Sequence, residues 1–455
     1  MSKTLKTDQA MALFNAMRMD RPIAFGLDEL VQGLPVTCYV PNIHGDGGGD
    51  PVQELADQIS WMEGSGAYLF TGNRGTGKTT ELLRLASVLR AEGCEVFYVD
   101  MTEYLNLTVS LDVSSFIISV MGAFSEKIKA RFNDRSPGDR GYFERLRDYF
   151  TTTEVKLEEI ALPVADADLK LSLREDPRFK ALLEKGTRDH LAQLVKQARE
   201  FASEAAVFIR NERQNGDLKI VLIVDSVERL RGVGSTQEIN EVFKSAETVF
   251  SSHADKLRFS GLSIVYTVPP YLSALAGGLG ALYSGSRVYM LPSVHIYDGC
   301  PVDGVEPKPS ALGLDAMFNI FEKRYSDWQT IFGDRSPLDR LALASGGDIR
   351  DFFRMIQQVA LKWPSAAAVD EKVLEHAEGA IRNDMQLIAA DDMARLALVA
   401  QTHQHGLGTL DELPVFARLL QGKYLLNYRN GEDWYDIHPV LRERVMAFAS
   451  EQSQR

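Results

Sequence analysis

Short apolar runs recur through the middle of the chain, at Ala67 to Phe70, Glu95 to Val99, Ile220 to Val224, Leu262 to Thr267 and Val288 to Leu291. Each is rich in β-branched or aromatic residues and is separated from the next by polar, helix-periodic sequence, the pattern of parallel strands buried on both faces. They predict an α/β domain from Ala67 to about Pro292. The spacing is uneven: about 120 residues separate the second run from the third, far more than one crossover helix needs. Within that gap Ser114 to Phe132 reads as a crossover helix. Leu162 to Leu173 alternates like a strand or hairpin arm, and Asp176 to Asn211 reads as one long, charged amphipathic helix. The extra sequence, at about 133–213, is an insertion, either a solvated helix or a contact arm for a neighbouring subunit or partner.

The flanks differ in pattern. Ala10 to Met19 predicts a short helix, Val36 to Pro41 an extended piece, Gly45 to Asp50 a flexible turn, and Pro51 opens a helix through Trp61. Beyond Pro292 the strand pattern stops. Cys300 to Ser310 is a linker, and Leu312 to about Arg382 reads as helices broken at Gly333, Gly346-Gly347 and Pro364. From Asp391 come two helical stretches, then Lys423 to Tyr428, a turn at Asn430-Gly431, and Trp434 to Ile437. Asn-Gly between two such runs is a strong hairpin signal. Helices followed by a hairpin predict a winged-helix module.

Chemistry enters at Gly72-Asn73-Arg74-Gly75-Thr76-Gly77-Lys78-Thr79, which matches the phosphate-binding loop GxxxxGK[ST] between an apolar run and a helical one that opens at Thr80. Glycines let backbone N–H groups turn inward around phosphate oxygens, Lys78 reaches the β/γ-phosphates, and the Thr79 hydroxyl ligates Mg²⁺. The match implies a nucleoside triphosphate. Lys219 to Asp225 is a buried strand ending in an acid, which sets Asp225 to bind the loop Mg²⁺ through water. Glu228, three residues on, either orients and deprotonates an attacking water or is a surface glutamate favoured by a helix dipole.

Composition changes little in this picture. The chain has 455 residues, 45% hydrophobic and 25% charged, ordinary for a globular protein of several domains. A net charge of −13 speaks against nucleic acid as a partner of the whole surface. Cys38, Cys94 and Cys300 stand far apart, suggesting neither zinc nor disulfides, which fits a cytoplasmic protein. The opening Met1 to Lys6 lacks a signal-peptide core, and no run of about eighteen apolar residues occurs, so no membrane is expected.

Together these residues resemble the AAA+ ATPases, especially the branch of origin-recognition initiators and the related STAND signalling ATPases. The resemblance covers roughly residues 50–450, with the insertion unmatched. It implies an arm at 1–60, an ATPase core at 61–300, a helical lid at 301–385 and a winged helix at 386–455. It implies ATP and Mg²⁺ as ligands, with Val36 to Val52 either lining the base pocket or forming a packed arm. Thr267 occupies the place of the polar sensor-1 residue, or is a threonine satisfied at a strand end. Arg287 stands where this family puts the arginine finger that reaches a neighbour's site, the alternative being an ordinary surface arginine. Arg350, in Ser345-Gly346-Gly347-Asp348-Ile349-Arg350, resembles the sensor-2 arginine that contacts the γ-phosphate. His438, in Asp436-Ile437-His438-Pro439, resembles the histidine that holds the ADP β-phosphate in STAND switches, although Pro439 replaces the expected aspartate; otherwise it anchors the helix after the wing.

The resemblance implies an ATP-driven switch coupled to self-assembly or to effector partners, with bacterial antiviral defence as one setting. The alternative is a DNA-binding initiator. Residues 386–455 carry seven basic against nine acidic side chains, which disfavours DNA. A third reading is a nucleotide held structurally with negligible turnover.

Overall fold

The computed structural model describes residues 3–27, 32–44, 49–152, 166–188, 190–233, 235–301, 307–386 and 388–453. The chain divides into two compact units, one of Met1–Pro51, Gly72–Leu83 and Leu291–Arg455, the other of Val52–Thr71 and Arg84–Met290.

The second unit is built on a five-stranded sheet of β1 (Ala67–Gly72), β2 (Glu95–Asp100), β3 (Ile220–Asp225), β4 (Ser263–Thr267) and β5 (Val288–Leu291), in the order β2-β3-β4-β1-β5. All five apolar runs are therefore strands. The pairs β2–β3, β3–β4 and β4–β1 are parallel, with Tyr98 opposite Ile223, Leu222 opposite Ile264 and Phe70 opposite Thr267. Every residue of β1, β3, β4 and β5 is buried, as continuous apolar strands require. Because β1, β3 and β4 are parallel, Thr71, Asp225 and Thr267 lie together at the C-terminal ends of their strands.

The described residues of the insertion are largely helical and pack on the crossover helix that precedes them. Helix Val113–Arg131, capped by Asp112, buries most of its length. Helix Leu191–Glu212 buries Leu194, Val195, Ala198, Phe201, Ala202 and Ala205. Phe201 meets Phe124 of the first helix at 6.5 Å and Tyr142 at 5.1 Å. Two expectations are corrected here. The part of Leu162 to Leu173 that is described belongs to a helix, Asp166–Glu175, and residues 162–165 lie outside the described residues. Leu169 and Leu173, four apart, are buried while Leu171 is exposed, so the spacing served a helical face. Asp176 to Asn211 is two helices, Pro177–Arg188 and Leu191–Glu212, parted after Gly186-Thr187, residues of weak helix preference.

In the first unit, helix Lys3–Ala16 replaces the expected Ala10 to Met19 and packs on helix Ile349–Lys362, where Gln357 Nε2 donates to Phe14 O at 3.2 Å. Helix Pro51–Trp61, which from Val52 belongs to the second unit, forms as its sequence predicts. Val36 to Pro41 is not extended: Val36–Cys38 closes a tight turn on itself, Cys38 N–H to Pro35 O at 3.1 Å and Tyr39 N–H to Val36 O at 2.9 Å. Of the expected Gly-rich turn, residues 45–48 lie outside the described residues, as do 302–306 of the linker.

Helices Ala311–Glu322, Gln329–Phe332, Ser336–Ala344, Ile349–Lys362 and Glu371–Asp384 follow, broken near the expected glycines and proline. Helices Ala390–Thr402 and Leu413–Gln421 then lead to the antiparallel hairpin of β6 (Leu425–Asn430) and β7 (Glu432–Ile437), which turns at Gly431 with φ +90°. Tyr428 stacks on Trp434 at 4.4 Å across it. No helix among the described residues is long and apolar enough to cross a membrane.

Candidate functional site

The phosphate loop leaves β1 at Gly72 and ends where helix Lys78–Ala91 begins. Gly75 and Gly77 have φ of +103° and +90°, a conformation that glycine alone adopts without strain. Lys78 is buried, and its Nζ folds back to donate to Gly72 O at 2.9 Å and Asn73 O at 2.8 Å. Thr76 Oγ1 donates to Asn73 O at 2.9 Å. The Asn73 amide is buried with neither its nitrogen nor its oxygen hydrogen-bonded. Thr79 is half-buried on the first turn, Arg74 is exposed, and Thr80 Oγ1 accepts from Ile23 N–H at 3.2 Å, tying the N-terminal arm to the loop. Left-handed glycines, an inward lysine and an orphaned buried amide fit a polyphosphate with its magnesium ion.

Against this loop lies the start of helix Ile349–Lys362. Asp348 caps it, accepting from Asp351 N–H at 2.8 Å. A Cβ placed on Gly75 would come within 2.8 Å of both Asp348 Oδ2 and Arg350 Cβ, so the helix start and loop are in contact. Arg350, half-buried in that first turn, has a buried Nε without a hydrogen bond. The structure thus brings Arg350 to the loop.

His438 is fully buried after β7. Its Nδ1 accepts from Val440 N–H at 3.4 Å, which leaves Nε2 to carry the proton toward Asp351 Oδ2, 3.5 Å away. Lys423 Nζ donates to Asp348 Oδ1 at 2.7 Å and Asp351 Oδ2 at 3.0 Å. Burial pushes the Asp351 carboxyl up, but facing His438 and Lys423 more than offset it and hold it well below the ordinary range. At Asp348 burial outweighs Lys423, and the carboxyl lies above its usual value.

In the second unit, the acids gather where β3 ends. Asp225 is fully buried. Tyr98 donates to its Oδ2 at 2.5 Å and Ser226 N–H to its Oδ1 at 2.6 Å. Burial, and then the charges of Glu228 and Asp100, push its pKa up to about 6 against those hydrogen bonds. Ser226 adopts φ +74°, and Glu228 follows in the turn Val227–Arg229, half-buried. Thr267 Oγ1 donates to Val224 O at 3.2 Å and accepts from Val227 N–H at 3.0 Å, bracing that turn against β4. Arg287, just before β5, is ion-paired with Glu54 and lies 4.4 Å over the Tyr289 ring.

Sequence reasoning missed Tyr98, Asp348, Asp351 and Lys423. Asp348 alone carried a local sign, an acid between a glycine pair and an amphipathic run, the mark of a helix cap.

The fold and loop define a P-loop α/β nucleotide-binding protein. No protein-family description matches the chain, and no curated protein does. Solved structures similar to it include the ORC2 protein of Aeropyrum pernix, described as ADPNP-ADP complexes. That pair is 10% identical over 97% of this chain and 98% of the other, with a TM-score of 0.40. Cdc6p from Pyrobaculum aerophilum is 13% identical, with 92% and 99% coverage and a TM-score of 0.33. The Walker-type ATPase paby2304 of Pyrococcus abyssi is 13% identical, with 95% and 99% coverage and a TM-score of 0.39. The assignment of the fold rests on strand order and loop geometry.

Proposed function

We propose that the chain is an ATP-binding and ATP-hydrolysing switch of AAA+ type, with residues 301–385 acting as a lid and 386–455 as a winged helix, coupling nucleotide state to assembly with copies of itself or with partner proteins. The observation that carries this reading is the loop: left-handed Gly75 and Gly77 between a buried strand and a helix, with Lys78 turned inward. In this reading Lys78 and the loop amides bind the phosphates, and Arg350 touches the terminal one. Thr79 on the loop side and Asp225 on the strand side are the magnesium ligands, Glu228 orients the attacking water, and Thr267 holds the turn that carries Glu228. Magnesium supplies charge neutralisation at the phosphates. His438 is buried facing Asp351, 3.5 Å away, which supports its role as an anchor after the hairpin.

The test is fluorescent ATP-analogue binding and phosphate release by the full chain beside Lys78→Ala. Loss of binding or turnover by at least about a hundredfold is expected. Equal activity in the two proteins would overturn the reading, and tight binding without turnover would leave the structural-nucleotide alternative.

The second reading, a DNA-binding initiator, is favoured by helices leading into a hairpin. Its basic side chains speak against it. Arg395 is paired with Glu412, Arg418 with Asp392, Arg429 with Asp433, Arg442 with Asp436 and Lys423 with Asp348. Cations already held by carboxylates release few counterions from a phosphate backbone. Salt-sensitive retention on duplex DNA, lost in Arg418→Ala with Arg429→Ala, would reverse the order. Nothing observed supports the antiviral setting, and it forms no part of the proposal.

A further inference from the structure

The first unit holds a buried charge cluster that nucleotide chemistry does not by itself require. Lys423 lies between helix Leu413–Gln421 and β6, and its ammonium reaches two carboxylates that are almost wholly buried, Asp348 and Asp351. Its backbone is unusual. Helix Leu413–Gln421 closes with Gly422 N–H to Arg418 O at 2.9 Å and Tyr424 N–H to Leu419 O at 2.9 Å, which leaves Lys423 in the left-handed position at φ +59°. Glycine is the ordinary occupant of that position. Here the glycine stands one residue earlier, at Gly422 with φ −74°, where it is required not by backbone conformation but by the Tyr424 ring, into which a Cβ would run. A lysine kept in a strained conformation marks its side chain as the reason.

The cluster ends at the phosphate loop. Asp348 Oδ1 takes Lys423, while Oδ2 is buried without a hydrogen bond and faces Gly75, 2.8 Å from where a Cβ would stand. A bare carboxylate there would repel a polyphosphate, and the ammonium, shared with Asp351, offsets part of that charge. At its other end Lys423 is tied to the hairpin, since the next residue, Tyr424, accepts from His438 N–H at 3.0 Å at the hairpin's base.

We propose that Lys423 is a positioning residue through which the phosphate loop and the C-terminal hairpin sense one another: it holds Asp348 beside Gly75 and offsets its charge, so that a nucleotide on the loop steadies β6 and β7. This rests on the reading that the loop holds a nucleotide. Coupling of this kind is reciprocal, so a change at Lys423 must appear at both ends.

Lys423→Gly removes the ammonium and relieves the backbone. Lys423→Gly with Asp351→Asn also removes a stranded charge and keeps the test valid if the single variant unfolds. The measurements on the full chain are affinity for a fluorescent ADP and amide hydrogen exchange over 425–437 with and without ADP. In the wild type ADP slows exchange in the hairpin. Both variants should bind ADP about tenfold more weakly and lose the ADP effect on the hairpin, with partial recovery in Lys423→Arg. Variants that bind within about twofold of wild type and keep the protection overturn the proposal, making the cluster a folding device. A wild type that binds ADP while its hairpin ignores it overturns the coupling alone. A wild type that does not bind ADP overturns the ATPase reading and the coupling with it.

Discussion

Burial makes Asp225 a weaker acid than an exposed carboxyl, although its proposed work needs the ionised form. Its pKa of about 6, raised first by burial, means that the folded chain retains a proton the unfolded chain loses near the ordinary value of 3.8. Between those values the native state binds more protons, so stability falls as pH rises from about 4 to about 6 and stays lowered above it. Two pKa units amount to at most about 3 kcal/mol. Asp225→Asn carries no such penalty. Its melting temperature should match wild type near pH 4 and exceed it at pH 8, while magnesium-dependent turnover disappears. Melts of the two proteins across that range check the sign, and equal differences at both ends would contradict the burial argument. Tyr98 supplies the opposing hydrogen bond, so Tyr98→Phe should move the pKa of Asp225 further up.

The same opposition between local need and neighbourhood separates the loop's glycines. Gly75 and Gly77 both have positive φ, yet a Cβ on Gly77 would meet open space while one on Gly75 would strike Asp348 and Arg350. Gly77→Ala should therefore cost about 1 kcal/mol from backbone strain alone, and Gly75→Ala about 2–4 kcal/mol because helix Ile349–Lys362 must also shift. Chemical denaturation measures both, and equal losses would mean the helix start yields freely. The loop and all five strands were legible because their signals are local: a motif eight residues long, and apolar runs that only a sheet buried on both faces explains. The hairpin was legible from Asn430-Gly431. The insertion was misread where Leu169, Leu171 and Leu173 satisfy period two as well as a four-residue step, so that only the partner helix decides between them. Lys423 and Asp348 could not be paired from sequence, since 75 positions separate them and neither carries a pattern naming the other.

At the scale of the whole molecule, the question is whether one copy suffices. Arg287 and Glu54 are both about half exposed, and such a pair contributes at most about 1 kcal/mol, so a stronger anion could displace Glu54 readily. Around them Asp57, Trp61 and Tyr289 line an open concavity of about 680 Å³, and the Trp61 indole is 78% exposed, an unusual amount for that residue. A surface of this kind suits a second copy. At net −13, copies repel one another, so association should strengthen as salt rises from low to moderate levels. If Arg287 completes a neighbour's site, Arg287→Ala binds ATP but does not hydrolyse it, while Lys78→Ala cannot bind ATP yet still offers its arginine. An equal mixture of these two inactive proteins should recover roughly a quarter of wild-type turnover, the share of sites in which a competent loop meets a competent arginine under random mixing. Arg287→Ala should melt within about 0.5 kcal/mol of wild type, which separates loss of function from loss of fold. Recovery on mixing requires shared sites. A mixture as inactive as its parts would confine the arginine to its own chain, and an Arg287→Ala protein that is fully active alone would reduce Arg287 to the surface partner of Glu54.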